Sequence, residues 1–399
     1  MIGKRLVTLP CRTLIVICAL ALFAPPRSQA QTETVLYDFT GGKDGGVPYS
    51  PLIRDGAGNL YGTTAYGGTH HSGTVFELSP LSDGGWRETV LYSFCSKGGM
   101  SCTDGGHPNL ASLMFDRKGS LYGTTPFGGA FGYGTVFKLA SEGEGKSWKQ
   151  SVLFSFCGGN DGANPISGLV MDAMGNVYGV TQWGGEQNTG TVFELSPTGV
   201  EQVIASINSW GAGLTMDTAG NIFGAEISAV FELSPNGEGG WNSKVIHTFS
   251  GFQGEDVYIS GTLALDNDGN LYGTTNNGGR HNGGTVYKLS AGENGRWTYT
   301  LLHSFDALKN GIGPVGGVVL DSARNIYGTT IDGTGWAGTV YELVAPAQNN
   351  GYRHRLLWTF NTFDGSQPYD TLCLDNAGKL YGTTEYGGTG AGVVFEVTP

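Results

Sequence analysis

The sequence carries little charge, and less positive charge than negative. Of 399 residues 14% are charged, with 22 Lys and Arg against 34 Asp and Glu, a formal net charge of -12. That balance argues against nucleic acid as a partner, because phosphate backbones are held by clustered Lys and Arg. Long apolar runs are also missing. The stretch from Leu14 to Ala24 is too short to span a bilayer as a permanent helix, and no second one follows before Pro399. No CxxC or paired-His spacing supports a zinc site, and no HExxH or nucleophile elbow marks a hydrolase.

What is present begins with an export signal. Lys4, Arg5 and Arg12 precede the apolar run, which leads through Pro25 and Pro26 to a small-residue site at Ser28, Gln29 and Ala30. The mature chain is expected to start at Gln31, with no lipobox, sorting tail or membrane insertion. Losing Lys4, Arg5, Arg12 and Arg27 takes the charge from -12 to -16, which reads as solubility. Four cysteines then remain: Cys95, Cys102, Cys157 and Cys373. Cys95 and Cys102 share one loop and are expected to form a local disulfide in an oxidising compartment, while Cys373 takes the place of a buried strand aliphatic.

The chain holds 69 glycines, and they recur at fixed places. Seven times a short apolar strand ends in Asp, followed by a GN(L/V/I)Y-GTT-like string, a glycine-rich gap, GTVFEL and a closing LxSF. In the first copy the strands read as a, Pro51 to Arg54; b, Asn59 to Thr64; c, Thr74 to Leu78; and d, Arg87 to Phe94. All are short, rich in Val, Leu, Tyr, Phe and Thr, bounded by turn residues, and without helical apolar spacing. The ab turns, from Asp55 to Asp375, need positive-φ residues and a capping side chain, so their seven aspartates read as turn caps.

Four strands per unit at this spacing predict an all-β, seven-bladed β-propeller over residues 31–399. The strand count adds a detail. The mature chain opens with a d-type strand, Thr34 to Phe39, and ends on a c strand, Val393 to Val397. The opening strand is therefore expected to complete the last blade and close the ring, burying Val35, Leu36, Tyr37 and Phe39.

GNLYGTTAYGGTHHSGTVFELSP, with partners such as GSLYGTTPFGGAFGYGTVFKL, resembles the GloVer (Gloeo/Verruco) tandem repeat of bacterial secreted and surface proteins. The likeness covers residues 34–399, and six of seven copies share YGTT or YGVT. It implies an extracytoplasmic propeller-like array, often carried with a C-terminal anchor, and no established activity.

Site candidates fall in the da and bc loops, which emerge on one face of a propeller. The da loops repeat a (D/N)GxxP element that places Asp44, Asp104, Asp161 and Asp364 round the channel mouth. This is either turn chemistry or a seat for a hard cation such as Ca²⁺, the one cofactor candidate. The bc loops supply Tyr66, His70, His71, Phe127, Phe131, Tyr133, Trp183, Trp336, Glu385 and Tyr386, suited either to sugar stacking or to packing between blades. Blade four loses its bc loop, leaving a notch. Around it fall Trp183, Glu186, Gln187, Trp210, Glu226, Glu255, Asp256, Tyr258, Arg280 and His281, a mixture of acids, bases and aromatics.

The residues thus point to a secreted or periplasmic monomer that binds a glycan or a cell-surface protein through its bc and da loops. The alternatives are a polysaccharide lyase or glycoside hydrolase with Glu186, Glu226, Glu255, Asp256, Arg280 and His281 at the notch, or a purely structural envelope protein.

Overall fold

The computed structural model describes residues 31–399 except 99–100, 110–111, 144–146, 209–212, 250–260, 307–308, 334–336 and 348–350; the expected signal lies outside the described residues. Seven antiparallel sheets form a seven-bladed β-propeller. Blade one pairs Ile53–Arg54, Leu60–Thr64, Thr74–Pro80 and Trp86–Ser93 in that order, strands a to d. Strand a is shorter than expected. It has two residues in all seven blades, whatever stands at the Pro51 position.

The ab turn is built by its aspartate. Asp55 Oδ1 accepts the N–H groups of Ala57 and Asn59, and Oδ2 accepts the Asn59 amide and the Tyr61 hydroxyl. The same four bonds recur at Asp172 and Asp321. These carboxylates are turn caps, as the spacing predicts.

The GTT string joins blades. A Cβ on Gly62 would lie 2.6 Å from the Phe76 ring and 2.9 Å from Leu52, so only glycine lets strand c's aromatic pack there. Thr63 donates to the Pro108 carbonyl of the next blade at 3.0 Å, and Thr274 donates likewise to Gly316 at 2.9 Å. Thr64 donates to the Tyr66 carbonyl at 2.9 Å, which leaves Thr74 to donate to Thr64. Gly62→Ala is expected to lower stability by about 1–3 kcal/mol through overpacking. Gly56→Ala, where nothing lies within 4 Å, is expected to change little. Urea melts of the two variants check this.

The hydrophobic core is divided among the seams between blades. Phe39, Leu52, Leu60, Phe76 and Tyr381 form the cluster between blades seven and one. At this seam Phe39 meets Phe76 edge-on at 5.1 Å, and Phe94 meets Phe137 and Phe305 meets Tyr341 in the same way. The phenylalanine that closes six of the seven d strands, with Ile207 in its place in blade three, is thus a wedge into the next blade.

Closure follows the offset in the sequence. Thr32–Asp38 pairs antiparallel with Val393–Thr398 as strand d of blade seven. It carries a bulge at Leu36, and the d strands of blades one and two bulge at the matching Leu91 and Leu153. The Asp38 carboxylate accepts the Thr389 N–H and hydroxyl, pinning the strand to the last bc loop. Phe39 is fully buried, but Val35 is 37% exposed, contrary to expectation. Strand d is the outer edge of its blade, so Leu36 and Tyr37 are only half-buried against the seam cluster and Val35 stands outside it. Among the described residues no helix is long and apolar enough to cross a membrane.

Candidate functional site: the loop face

The bc and da loops form one continuous surface. Backbone bridges join Gly46 to Tyr66, Gly106 to Phe127, Ile312 to Asp332 and Ser366 to Tyr386. The residue before each da-loop proline is held in the left-handed region: Val47 at φ 56, His107 at 54, Asn164 at 55 and Gln367 at 55. That conformation is costly for residues with a Cβ. It persists because each N–H donates into the preceding blade's loop, to Ala391, Ser72, Tyr133 and Ala337 at 2.7 to 3.0 Å. The face is therefore rigid and locked blade to blade.

On it lie all the exposed aromatics among the described residues: Tyr66, Phe127, Phe131, Tyr133, Trp183, Phe363 and Tyr386, each at least 45% exposed. Tyr66, Phe127, Trp183 and Tyr386 stand out of the seams instead of filling them. Phe363, 84% exposed in the last da loop, is a member the sequence reading missed; its only signal is an aromatic beside the DG turn. His107 stands between two of these rings, 5.2 Å from Tyr66 and 5.9 Å from Phe127, with Nδ1 bonded to the Ala65 carbonyl at 2.9 Å. His70 and His71 are exposed.

At the axis a cavity of about 70 Å³ is lined by Pro51, Ser112, Gly168, Gly317 and Asp370 among others. Burial pushes the Asp370 carboxyl up to about 7, against the Thr383 hydroxyl bond. Beside it Tyr49 and Tyr369 pack at 4.7 Å, and burial raises Glu385. No repeat pattern marks this group, because Asp370 stands where other blades carry Ser50, Ser167 or Gly316.

The da-loop aspartates turn inward to their own loops. Asp44 accepts the Thr40 N–H and hydroxyl, Asp104 those of Ser96 and the Tyr92 hydroxyl, Asp161 the Cys157 N–H, and Asp364 the Asn361 N–H. Burial works against the Asp104 carboxylate, but the Tyr92 and Ser96 bonds outweigh it and its pKa is lowered. Among the described residues no three His, Cys, Asp or Glu are grouped as a metal centre. EDTA dialysis is expected to leave the melting temperature unchanged, read by calorimetry before and after adding Ca²⁺.

Behind these loops, three seams bury a glutamate from strand d. Glu33, Glu88 and Glu201 each have an Oε1 without a hydrogen-bond partner. Burial, with Asp364, Asp44 and Asp161 respectively nearby, pushes each up to about 7. Blade two has Gln150 at this position, and its amide donates to the Asp104 carbonyl at 3.1 Å.

The repeat that builds this face matches one family model, the Gloeobacter/Verrucomicrobia repeat, over residues 22–229 and 214–399. The chain belongs to that family. No curated protein matches it. Among solved structures this repeat protein is similar to virginiamycin B lyase from Staphylococcus aureus, with 12% identity and a TM-score of 0.57 over 92% of this chain and 99% of that one. It is also similar to PorZ of Porphyromonas gingivalis, with 14% identity and a TM-score of 0.53 over 88% of this chain and 46% of that chain. A third is the extracellular domain of a hybrid two component system from B. thetaiotaomicron, at 12%, 0.52, 91% and 42%. At such identities the likeness shows the fold.

In this Gloeobacter/Verrucomicrobia repeat protein the bc connection of blade four is short, as expected. Blade four's b and c strands, Ile222–Ala225 and Ala229–Pro235, are joined by a tight turn closed by Glu226 N–H to the Ala229 carbonyl. Glu226 is half-buried and raised by burial, whereas Glu186, Gln187 and Arg280 are exposed. His281 turns to Asp306 in blade five, 4.0 Å away. Trp210, Glu255, Asp256, Tyr258 and Trp336 lie outside the described residues. Cys95 and Cys102 are disulfide-bonded; Cys157 is exposed, and Cys373 is half-buried where burial was expected. Strand a is the innermost and shortest of its blade, so Cys373 borders the axial space.

Proposed function

We propose that the chain is an exported, monomeric binding module, mature from Gln31, whose bc and da loop face recognises a glycan at or beyond the cell surface. One observation carries this reading: the exposed aromatics among the described residues all stand on that one face. Exposed rings on a rigid scaffold, with amide and imidazole groups between them, offer stacking and hydrogen bonds at low ordering cost. The Cys95–Cys102 disulfide supports an oxidising compartment. PorZ is a bacterial surface component, and the B. thetaiotaomicron domain is extracellular, which supports the same address.

A glycan array probed with residues 31–399, beside a Phe127→Ala variant, tests this, with mass spectrometry for released fragments. Retention of a glycan that weakens in the variant and yields no product is expected. Released fragments would make the protein an enzyme, and retention of no glycan would overturn the reading.

A further inference from the structure

Among the described residues the exposed aromatics cluster on one part of the ring. All those described belong to the loops of blades seven, one, two and three. The position filled by Tyr66 in blade one is marked by a carbonyl that accepts the b-strand threonine hydroxyl. In blades five and six that position holds Asn277 and Asp332. Among the described residues the exposed rings therefore form an arc over blades seven, one, two and three.

The gaps between the rings of the arc hold Val47, His107 and Asn164. The left-handed residues of the da loops lie in the gaps between neighbouring bc loops, as His107 shows by touching both Tyr66 and Phe127. The Asn164 backbone N–H donates to the Tyr133 carbonyl on one side of its gap, and Val47, between the loops of Tyr386 and Tyr66, donates its N–H to the Ala391 carbonyl and accepts the Ala65 N–H. Val47 in the first gap is apolar, but the His107 imidazole divides Tyr66 from Phe127 and the next gap holds Asn164, so the rings do not make the contiguous apolar patch that a folded protein partner would bury. They suit a chain of pyranoses, each with an apolar face flanked by hydroxyls. Tyr66 and Phe127 are no further apart than contacts of 5.2 and 5.9 Å taken together, a span of short oligosaccharide size.

Charge narrows the class. Glu385 lies next to Tyr386 at one end of the arc, Asp332 is in the adjoining blade, and the whole chain carries -12. A polyanion would be repelled. We propose, resting on the glycan reading above, that the ligand is a linear, uncharged polysaccharide lying along the arc from blade seven to blade three. His107 is a specificity-determining residue, because its Nδ1 is committed to the Ala65 carbonyl and its ring is fixed between two stacking faces.

Titration calorimetry on residues 31–399 with neutral gluco-oligosaccharides of two, four and six units, glucose and polygalacturonate tests the arc. Affinity is expected to rise with chain length, with glucose and polygalacturonate not bound. Tyr66→Ala and Phe127→Ala are each expected to weaken the longest ligand roughly three- to tenfold, the scale of one aromatic stack. Asn277→Ala, in blade five outside the arc, is expected to leave it unchanged. His107→Ala is expected to alter the ranking of neutral oligosaccharides that differ only in hydroxyl stereochemistry. Binding without length dependence, or untouched by Tyr66→Ala and Phe127→Ala, overturns the arc while the glycan module stands. Binding of no carbohydrate here or on the array overturns both.

Discussion

A chain lacking residues 31–40 is expected to lose cooperative folding and to aggregate. The deletion removes strand Thr32–Asp38 and so uncovers Val393–Thr398 as an unpaired edge, a template for pairing with other chains. It also removes Phe39, fully buried against Phe76 in the seam between the last and first blades. Phe39→Ala alone is expected to cost about 3–5 kcal/mol, as for other buried aromatics. That is a large part of the roughly 5–15 kcal/mol by which a domain is stable. The point variant is therefore expected to melt cooperatively at a much lower temperature. A soluble monomeric deletion mutant with unchanged melting, seen by calorimetry and size-exclusion chromatography, would falsify closure by the N-terminal strand.

The second large effect is on pH dependence. Glu33, Glu88 and Glu201 have folded pKa values pushed up to about 7 by burial and by neighbouring aspartates, from an ordinary 4.5. Between those values the folded state binds protons that the unfolded state has lost, so stability falls as pH rises. Their contribution is full below about 4.5 and gone above about 7. Gln150 shows what the protonated form does, since a neutral carboxyl can donate to a loop carbonyl as its amide does.

Other groups titrate in the same range. His303 and His354, stacked at 4.7 Å and depressed to about 4 by burial, favour folding as pH rises from 4 towards 6.5. Asp370 acts in the direction of the glutamates. The measurement is therefore a difference. The triple variant Glu33→Gln, Glu88→Gln, Glu201→Gln is expected to melt close to the parent at pH 4.5 and well above it at pH 8. Parallel melting curves across that range would show that these carboxyls are ionised in the fold.

The blades, their number and the closing strand were legible in the sequence because each rests on local rules. Strand runs, Asp-capped turns and glycine-rich gaps act within a few residues, and seven repetitions of them leave a single ring-closing solution. The aspartates of the ab turns were legible as caps for the same reason. What only the tertiary structure decided is which side chains the seams bury and which the face exposes. Tyr66, Phe127, Trp183 and Tyr386 occupy a repeat-fixed position equally suited to packing and to stacking, and the geometry of the neighbouring loops turns them outward. Asp370, Glu33, Glu88 and Glu201 look like ordinary acids in the sequence. Their unusual protonation comes from blades that lie next to them only once the ring is closed, and desolvation by such distant neighbours leaves no mark on local sequence.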